Sequence, residues 1–189
     1  MPDAADRLGT RHGRPEDAAG LAALHVAVWR ETYRGIAPDA AYLALDEARR
    51  LPYWQATLGA NDPLTGAILA ASGSDMLGVV SFGRPVQPEM DGAVEVKHLY
   101  VSGHARGGGL GRRLLEASFD HLRGAGCRRA ALAVVRENAA ARRFYERMGG
   151  AEGGEFIDPG PLWRSSNIIV TWSLDGSPGV VDRQSAPHV

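Results

Sequence analysis

Four glycines in six residues form the stretch RGGGLG, Arg106 to Gly111, within a chain of 189 residues. Glycine loses the most backbone freedom on folding, so such a run indicates that something approaches the backbone closely. Free backbone N–H groups at the start of a helix bind phosphate-like anions well. The stretch has arginine where a Rossmann loop has its third glycine, and it lacks the Gly-Lys-Ser/Thr of a P-loop. It therefore predicts either a phosphate site of another kind or a plain helix-capping turn.

Titratable side chains stand directly before this loop, in the run VEVKHLYV of residues 94–101. The run is typical of a central strand, where polar side chains need a reason. Simple alternation gives two faces, with Glu95, Lys97, Leu99 and Val101 on one and His98 and Tyr100 on the other; a bulge would mix them. A half-buried Glu95 would have a raised pKa that suits a general base. The alternatives are His98 as the base and a Glu95–Lys97 ion pair without a catalytic role.

A third candidate region is the segment NAAARRFYERMGG, residues 138–150, which also carries polar side chains. Asn138 suits the N-cap of the helix that follows it. Tyr145 shares a helix face with Ala141 and Phe144, so it is either a core tyrosine or a phenol presented to a ligand. The ordinary pKa of a tyrosine, about 10, keeps the phenol protonated at neutral pH and able to donate a proton.

The composition is that of an ordinary globular protein. Hydrophobic residues make up 44%, charged residues 23%, and the formal net charge is −1, so we expect neither a nucleic-acid nor a membrane partner. No apolar run reaches the roughly 18–20 residues of a membrane span, and the first residues lack the apolar segment of a secretory signal. The one cysteine, Cys127, and the lack of a His, Asp or Glu cluster with ligand spacing predict no metal site and a reducing, cytoplasmic location.

The pattern of apolar residues predicts the elements that position these side chains. Four helices are predicted over residues 14–33, 38–58 with a break at Pro52, 110–126 and 138–150. Six strands are predicted over residues 65–71, 76–82, 94–101, 128–135, 151–158 and 166–174.

This order of elements predicts an α/β chain of the α+β type, with a central mixed sheet of about six to seven strands flanked by about four helices. The strand before the glycine loop and the strand after the next helix should be parallel neighbours. We expect one domain over residues 1–175 and a loosely held tail over 176–189.

The motif R-x-x-G-x-G after a strand ending in LYV, then LL, then N-x-x-A-x-x-F-Y-x-x-x-G, resembles the GNAT superfamily of acyl-CoA-dependent N-acyltransferases. The matching residues are Arg106, Gly109, Gly111, Leu114, Leu115, Asn138, Ala141, Phe144, Tyr145 and Gly149. The match covers residues 94–150, and the head WRETYRGIAP is similar to one branch of the superfamily. Gly150 departs from the pattern, because an aromatic residue is usual there. Lys97 and His98 stand where small or apolar residues are usual.

The resemblance implies a GNAT-like fold with acetyl-CoA as co-substrate. It implies that the glycine loop holds the pyrophosphate of CoA, that Tyr145 is the general acid near the CoA sulfur, and that a glutamate on the preceding strand is the base. Backbone groups near Leu99 and Val101 would contact the pantetheine arm and the reacting carbonyl. The implied cofactor-binding residues are Leu99, Tyr100, Val101, Arg106, Gly107, Gly108, Gly109, Leu110, Gly111, Arg112, Asn138, Ala141 and Phe144.

The first two helices are expected to form the wall that receives the acceptor. Trp29, Glu31, Tyr33 and Asp39 would give an aromatic and acidic lining for a cationic amine. The alternative is that Trp29 belongs to the core and Glu31 to the solvated surface.

The sequence therefore predicts an enzyme, an N-acetyltransferase that moves the acetyl group of acetyl-CoA to a primary amine of a small molecule or peptide by direct attack on the thioester. A non-catalytic acyl-CoA-binding sensor or partner module is the alternative, and it would need neither Glu95 nor Tyr145. The amine, the acyl chain length and the choice between monomer and homodimer stay open.

Overall fold

A computed structural model describes residues 9–175 of the chain, so the tail expected over 176–189 lies outside the described residues. The strands of the described part are β1 Arg11–His12, β2 Gly66–Ser72, β3 Asp75–Gly83, β4 Val94–Val101, β5 Arg129–Val135, β6 Ala151–Asp158 and β7 Ser165–Ser173. The α-helices are α1 Ala18–Thr32, α2 Asp39–Ala44, α3 Glu47–Leu58, α4 Leu110–Gly124 and α5 Ala139–Arg147.

The strands form one mixed sheet in the order β1-β2-β3-β4-β5-β7-β6. Neighbouring strands are antiparallel, except that β4 and β5 run parallel. The predicted mixed sheet and its parallel pair are therefore confirmed. Strand β1 was not predicted, because two exposed residues carry no apolar pattern.

Helices α2 and α3 replace the single helix predicted over 38–58, and the break lies at Leu45–Asp46 rather than at Pro52. Leu45 leaves the helical conformation with ψ of 117°. The Asp46 carboxylate accepts a 2.7 Å hydrogen bond from the backbone N–H of Arg49 and so caps the start of α3. An N-cap of this type satisfies a helix donor and stabilises a new start. Pro52 lies inside α3 without ending it.

Helices cover the sheet on both faces. On one face α4 and α5 pack on the sheet, and Leu114, Leu115 and Leu122 of α4 are fully buried. On the other face α1 and α3 enclose a second cluster that includes Leu21 and Trp54. Burying large side chains on both faces fixes the position of the central strand, β4, between the two layers.

Gly150, which departs from the pattern of the superfamily, has a packing reason to be glycine. A Cβ there would lie 2.5 Å from Cγ1 of Val170 and 2.7 Å from Cζ2 of Trp172. The Trp172 indole donates a 3.0 Å hydrogen bond to the carbonyl of Met148, at the end of α5. The Trp172 ring therefore fills the space beside Gly150.

Strands β4 and β5 separate after a short paired stretch. They pair only at Val94 with Ala130 and at Glu95 with Ala131, whereas β5 pairs with β7 from Arg129 to Val135. Beyond Glu95, the edge of β4 that faces β5 has no strand partner. Its backbone N–H and C=O groups are open to a ligand that lies between the two strands.

Candidate active site

A cleft of about 650 Å³ opens where β4 and β5 separate. That volume is in the range of small-molecule sites. The cleft brings together most of the predicted catalytic and cofactor-binding residues: His98, Leu99, Tyr100, Val101, Arg106, Gly107, Gly109, Leu110, Gly111, Arg112, Asn138, Ala141, Phe144 and Tyr145. Tyr33 of the expected acceptor wall also lines it. The lining does not include Glu95, Gly108, Trp29 or Glu31.

The glycine loop leaves the first turn of α4 without a side-chain cap. Gly109 is the N-cap with φ of +75°, and Gly107 has φ of +82°, a backbone region that glycine adopts readily. The three N–H groups after Gly109 precede the first helical hydrogen bond, which runs from the Arg113 N–H to the Gly109 carbonyl at 3.1 Å. These unpaired donors and the positive end of the helix dipole fit a pyrophosphate.

Arg106 lines the cleft, but its guanidinium is held by other groups. Its Nη1 and Nη2 donate to the two carboxylate oxygens of Glu31 at 2.9 and 3.1 Å, and its Nε donates to the carbonyl of Val101 at 3.1 Å. Glu31 was expected to line the acceptor site and Arg106 to contact the pyrophosphate. In the structure they form one bidentate pair that joins α1 to the glycine loop.

Tyr145 is buried at the wall of the cleft. Its ring packs edge-on against Phe144 at 5.4 Å and Trp172 at 5.9 Å between centroids. Burial raises the pKa of the Tyr145 phenol well above its ordinary value, and the nearby Tyr33 phenol adds to the effect. The Tyr145 hydroxyl therefore stays protonated throughout the neutral and mildly alkaline range, as a proton donor must.

Asn138 serves as a cap and also lines the cleft. Its side-chain carbonyl accepts a 3.2 Å hydrogen bond from the N–H of Ala141, which caps α5 as expected. Burial raises the pKa of the Tyr33 phenol, and a hydrogen bond with Asn138 acts in the opposite direction. The contact places the hydroxyl of Tyr33 beside the start of α5.

A bulge in β4 changes the faces that simple alternation predicts. Ser81 of β3 pairs with His98, and Phe82 pairs with Val96, so Lys97 is the extra residue. Because of this residue, Leu99 and Val101 pack in the same core as Val94 and Val96. The prediction that Leu99 and Val101 share a face with Glu95 is therefore wrong, and the bulge is the reason.

Glu95 is ion-paired with Lys97, with side-chain exposures of 12% and 17%. Its carboxylate also accepts a 3.3 Å hydrogen bond from the N–H of Val86. The structure thus shows the Glu95–Lys97 ion pair that was the alternative to a catalytic role, and it places the Glu95 side chain outside the lining of the cleft.

One ring nitrogen of His98 lies in a polar cluster with the hydroxyls of Ser81 and Tyr53. The sequence did not predict this cluster. Nδ1 of His98 lies 3.0 Å from the Ser81 hydroxyl and 3.1 Å from the Tyr53 hydroxyl. These two contacts use Nδ1 and leave Nε2 of His98, a residue that lines the cleft, without a hydrogen-bond partner among residues 9–175. Burial lowers the pKa of His98 to about 3, and the cations Arg50 and Lys97 act in the same direction. His98 is therefore a neutral imidazole at physiological pH.

His25 of α1 lies directly behind His98, with 4.8 Å between ring centroids. Burial lowers the pKa of His25 to about 2, and the nearby His98 and Arg50 contribute. Both histidines are therefore kept neutral by the fold, and protonating either one places an unpaired charge in the interior.

This pair predicts that the protein loses stability as the pH falls. The folded pKa values of His25 and His98 lie below the ordinary 6.5, so the unfolded chain binds more protons. Their contribution to stability is full above about pH 6.5 and decreases below it, by up to about 1.4 kcal/mol per pH unit for each histidine. Urea unfolding from about pH 7 to about pH 4.5 should show this decrease, and His25→Asn should make it less steep.

His104→Asn is the matched control for this experiment, because His104 is exposed. We expect it to leave the pH dependence of the unfolding free energy as it is in the wild type. An unchanged slope in His25→Asn would show that folding does not lower the pKa of His25.

Trp29 belongs to an aromatic cluster beside the cleft. Its ring lies 5.2 Å from Tyr33, 5.3 Å from Tyr42 and 5.9 Å from Trp163 between centroids. Trp29 is 7% exposed and packs with Ala41 of α2 and with Leu45, which follows that helix. Of the expected acceptor wall, the structure therefore brings Tyr33 to the cleft and places Trp29 in the core behind it.

Residues 9–175 contain neither a metal-binding group nor a membrane-spanning helix. No group of three or more His, Cys, Asp and Glu side chains in this part of the chain is arranged to hold a metal ion. None of the helices described has the length and apolar character needed to cross a membrane.

The family model described as the acetyltransferase (GNAT) family matches residues 22–150. The chain belongs to this family, which confirms the resemblance drawn from the motif.

Solved structures show the same fold. The PaiA N-acetyltransferase of Thermoplasma acidophilum, solved in complex with coenzyme A, superposes with a TM-score of 0.66 at 18% identity and covers 87% of this chain and 99% of its own. The protein yncA of Salmonella typhimurium, solved with its cofactor acetyl-CoA, superposes with a TM-score of 0.66 at 19% identity and covers 96% of this chain and 98% of its own. Both have the same central architecture as this chain.

Curated relatives match parts of the chain. Mycothiol acetyltransferase of Geodermatophilus obscurus is 41% identical over 92 residues, 47% of this chain and 29% of that protein. The probable spermine N(1)-acetyltransferase of Bacillus subtilis subsp. natto is 32% identical over 87 residues, 43% of this chain and 56% of that protein. The aligned regions thus cover from under a third to just over half the length of these two relatives.

Proposed function

We propose that the chain is an acetyl-CoA-dependent N-acetyltransferase that acylates a primary amine of a small molecule or peptide. The observation that carries the proposal is the convergence of three features on one cleft: an uncapped glycine-rich helix start, the free edge of β4, and the protonated phenol of Tyr145. Family membership and the CoA-containing structural neighbours support it.

The residues of the cleft fit an extended acyl-CoA. The N–H groups after Gly109 would bind the pyrophosphate. The unpaired edge of β4, from Leu99 to Val101, would hydrogen-bond the pantetheine arm as a neighbouring strand does. The apolar side chains of Ala141 and Phe144 line the same cleft and would cover the arm. Acetyl-CoA supplies an activated acetyl group as a thioester.

The amine must enter as the free base, because His98, with a pKa of about 3, is too weak to deprotonate an ammonium group. The amine nitrogen attacks the thioester carbonyl, the C–N bond forms and the C–S bond breaks. Attack makes the nitrogen more acidic, and we assign the removal of its proton to Nε2 of His98, which lines the cleft and passes the proton on to solvent. Tyr145 donates a proton to the departing sulfur and regains one from solvent.

Calorimetric titration of the protein with acetyl-CoA tests the proposal, with free CoA and ATP as comparators. We expect acetyl-CoA and CoA to bind with similar affinity, because both carry the pyrophosphate and the pantetheine arm. ATP should bind at least about tenfold more weakly, because it lacks the arm that pairs with β4. A panel of amines, followed by release of the CoA thiol, then measures turnover.

The outcomes separate the candidate functions. Acetyl-CoA binding with turnover of at least one amine supports the enzyme. Binding without turnover of any amine would favour the non-catalytic acyl-CoA-binding module. If neither acetyl-CoA nor CoA binds, the proposed ligand of the cleft is wrong.

A further inference from the structure

Arg50, Tyr53 and Trp54 lie on one face of α3, three and four residues apart. Tyr53 places its hydroxyl 3.1 Å from Nδ1 of His98, and the Trp54 ring lies 5.8 Å from the His98 ring. This face of α3 therefore packs toward β4, behind the part of the strand that lines the cleft. Arg50 shares this orientation because residues four apart are neighbours on a helix.

Arg50 is partly buried and has no counter-ion in the described part of the chain. Among residues 9–175 no ion pair or hydrogen bond is made by its guanidinium, and its Nε is buried without a partner. Burial lowers the pKa of Arg50. A cation taken out of water normally has a carboxylate or another anion beside it.

Two more buried nitrogens near Arg50 lack partners. They are Nε1 of Trp54, on the next turn of α3, and Nδ1 of His25, whose ring lies 6.1 Å from that of Trp54. Trp54 is 0% exposed and His25 is 1% exposed. A buried water molecule would satisfy the Trp54 donor and the His25 nitrogen. Water brings no negative charge, however, so an anion would be the stronger partner for the Arg50 guanidinium.

Tyr100 connects this group to the cleft. Its ring lies 4.8 Å from His25 and 5.3 Å from His98 between centroids, and Tyr100 and His98 both line the cleft. The phenols of Tyr33 and Tyr145 act on the pKa of Tyr100 alongside Arg50. Arg50 acts on the pKa values of both His98 and Tyr100, so it lies near these two residues, although it is not itself part of the cleft lining.

The charges that line the cleft point to the same kind of acceptor. The described lining includes no Asp or Glu, and its basic residues are Lys97, Arg106, Arg112 and Arg147. Glu31, which was expected to attract a cationic amine, is paired with Arg106. Lys97, Arg106 and Arg112 are paired with Glu95, Glu31 and Glu116, so the described lining offers a polyamine no carboxylate to pair with.

We propose that Arg50 binds a carboxylate of the acceptor, so that the acceptor is a carboxylate-bearing primary amine, such as an amino acid, rather than a polyamine. The guanidinium would hold the carboxylate by a charge-assisted, bidentate contact while the amine of the same molecule reaches the cleft beside His98 and Tyr145. The inference rests on the proposed function, because it specifies the acceptor of that reaction.

The experiment compares amino acids with their carboxamides in the thiol-release assay, with spermidine as a polyamine. The carboxamide has the less basic amine, which gives more free amine at neutral pH but a weaker nucleophile. These two effects offset each other, so a large preference for the acid comes from binding. In the wild type we expect kcat/KM to favour the acid of the best pair by about 10- to 100-fold, the range of a charge-assisted contact. We also expect spermidine to be a poorer acceptor than that acid.

Substitutions of Arg50 test whether it causes the preference. Arg50→Gln should bring the acid and the carboxamide to within about threefold, mainly through a higher KM for the acid, and Arg50→Lys should keep part of the preference because it keeps the charge. Arg49→Gln is the control, since the exposed Arg49 donates its Nε to the carbonyl of Ala44 at 2.9 Å. It should behave as the wild type does.

Three results would overturn the inference: equal use of acid and carboxamide by the wild type, faster use of spermidine, or a preference that persists in Arg50→Gln. The comparison of acid and carboxamide in the wild type tests the inference even if the Arg50 variants do not fold. Failure of the proposed function would look different. In that case acetyl-CoA would not bind or no amine would be acetylated, whereas failure of this inference leaves binding and acetylation intact with no preference for acids.

Discussion

Tyr145→Phe is expected to lower kcat by about 10²- to 10³-fold and to leave the affinity for acetyl-CoA within about twofold. A positioned proton donor contributes on this order to an acyl transfer, because the sulfur otherwise leaves as a thiolate. The variant keeps the ring, which packs against Phe144 and Trp172, and loses only the hydroxyl. The measurement is the thiol-release rate at saturating amine, together with a calorimetric titration with acetyl-CoA.

Tyr42→Phe removes a hydroxyl outside the cleft and is the matched control. The Tyr42 hydroxyl donates a 3.2 Å hydrogen bond to the carbonyl of Arg30, so the substitution should affect stability slightly and kcat not at all. If Tyr145→Phe turned over at the rate of Tyr42→Phe, the proton would reach the sulfur by another route, and Tyr145 would be a core residue of α5.

The parts of the fold that the sequence predicts well are those with a strong local pattern. Helix α4 buries Leu110, Leu114, Leu115 and Leu122, the four residues that its 3.6-residue spacing places on one face. The strands around it are runs of apolar and β-branched residues bounded by turns. Most of the cleft follows from the same region, because all of its lining residues except Val28, Thr32 and Tyr33 lie between β4 and the end of α5.

The parts that the sequence does not predict depend on contacts between distant segments. Arg106 and Glu31 are 75 positions apart, and each has an equally plausible separate role in the sequence. Nothing in the sequence around Ser81 or Tyr53 indicates that their hydroxyls hold His98 from β3 and α3. Packing of the helices against the sheet determines these pairs.

The bulge at Lys97 is a feature that the sequence predicts only in part. One extra residue in β4 shifts every following side chain to the opposite face, so the predicted faces are right on one side of Lys97 and wrong on the other. The sequence feature that could have predicted the bulge is the polar pair Lys97–His98 in a central strand, because a lysine in a regular buried strand would cost free energy. This pair indicates an irregularity in β4 but not the residue at which the irregularity lies.

Gly108→Asp is expected to weaken acetyl-CoA binding by about 10- to 100-fold while the protein remains folded. A carboxylate next to the uncapped start of α4 competes for the N–H groups that would bind the pyrophosphate, and it repels the phosphates. A Cβ at Gly108 would meet nothing within 4 Å, and φ there is not positive, so the side chain fits without strain. Near a helix N-terminus the new negative charge should even stabilise the fold slightly. Calorimetry with acetyl-CoA and thermal unfolding of the free protein measure the two effects.

Gly108→Ala separates charge from shape, because it adds the same Cβ without the carboxylate. We expect its affinity for acetyl-CoA to stay within about threefold of the wild type, and high salt to reduce the difference between the Asp and Ala variants, since ions screen an exposed charge. Equal losses in both variants would mean that the ligand touches the backbone of Gly108 and excludes any side chain. Unchanged binding in both would show that the phosphates lie elsewhere, and then the four glycines between Arg106 and Gly111 would be explained by the turn into α4 alone.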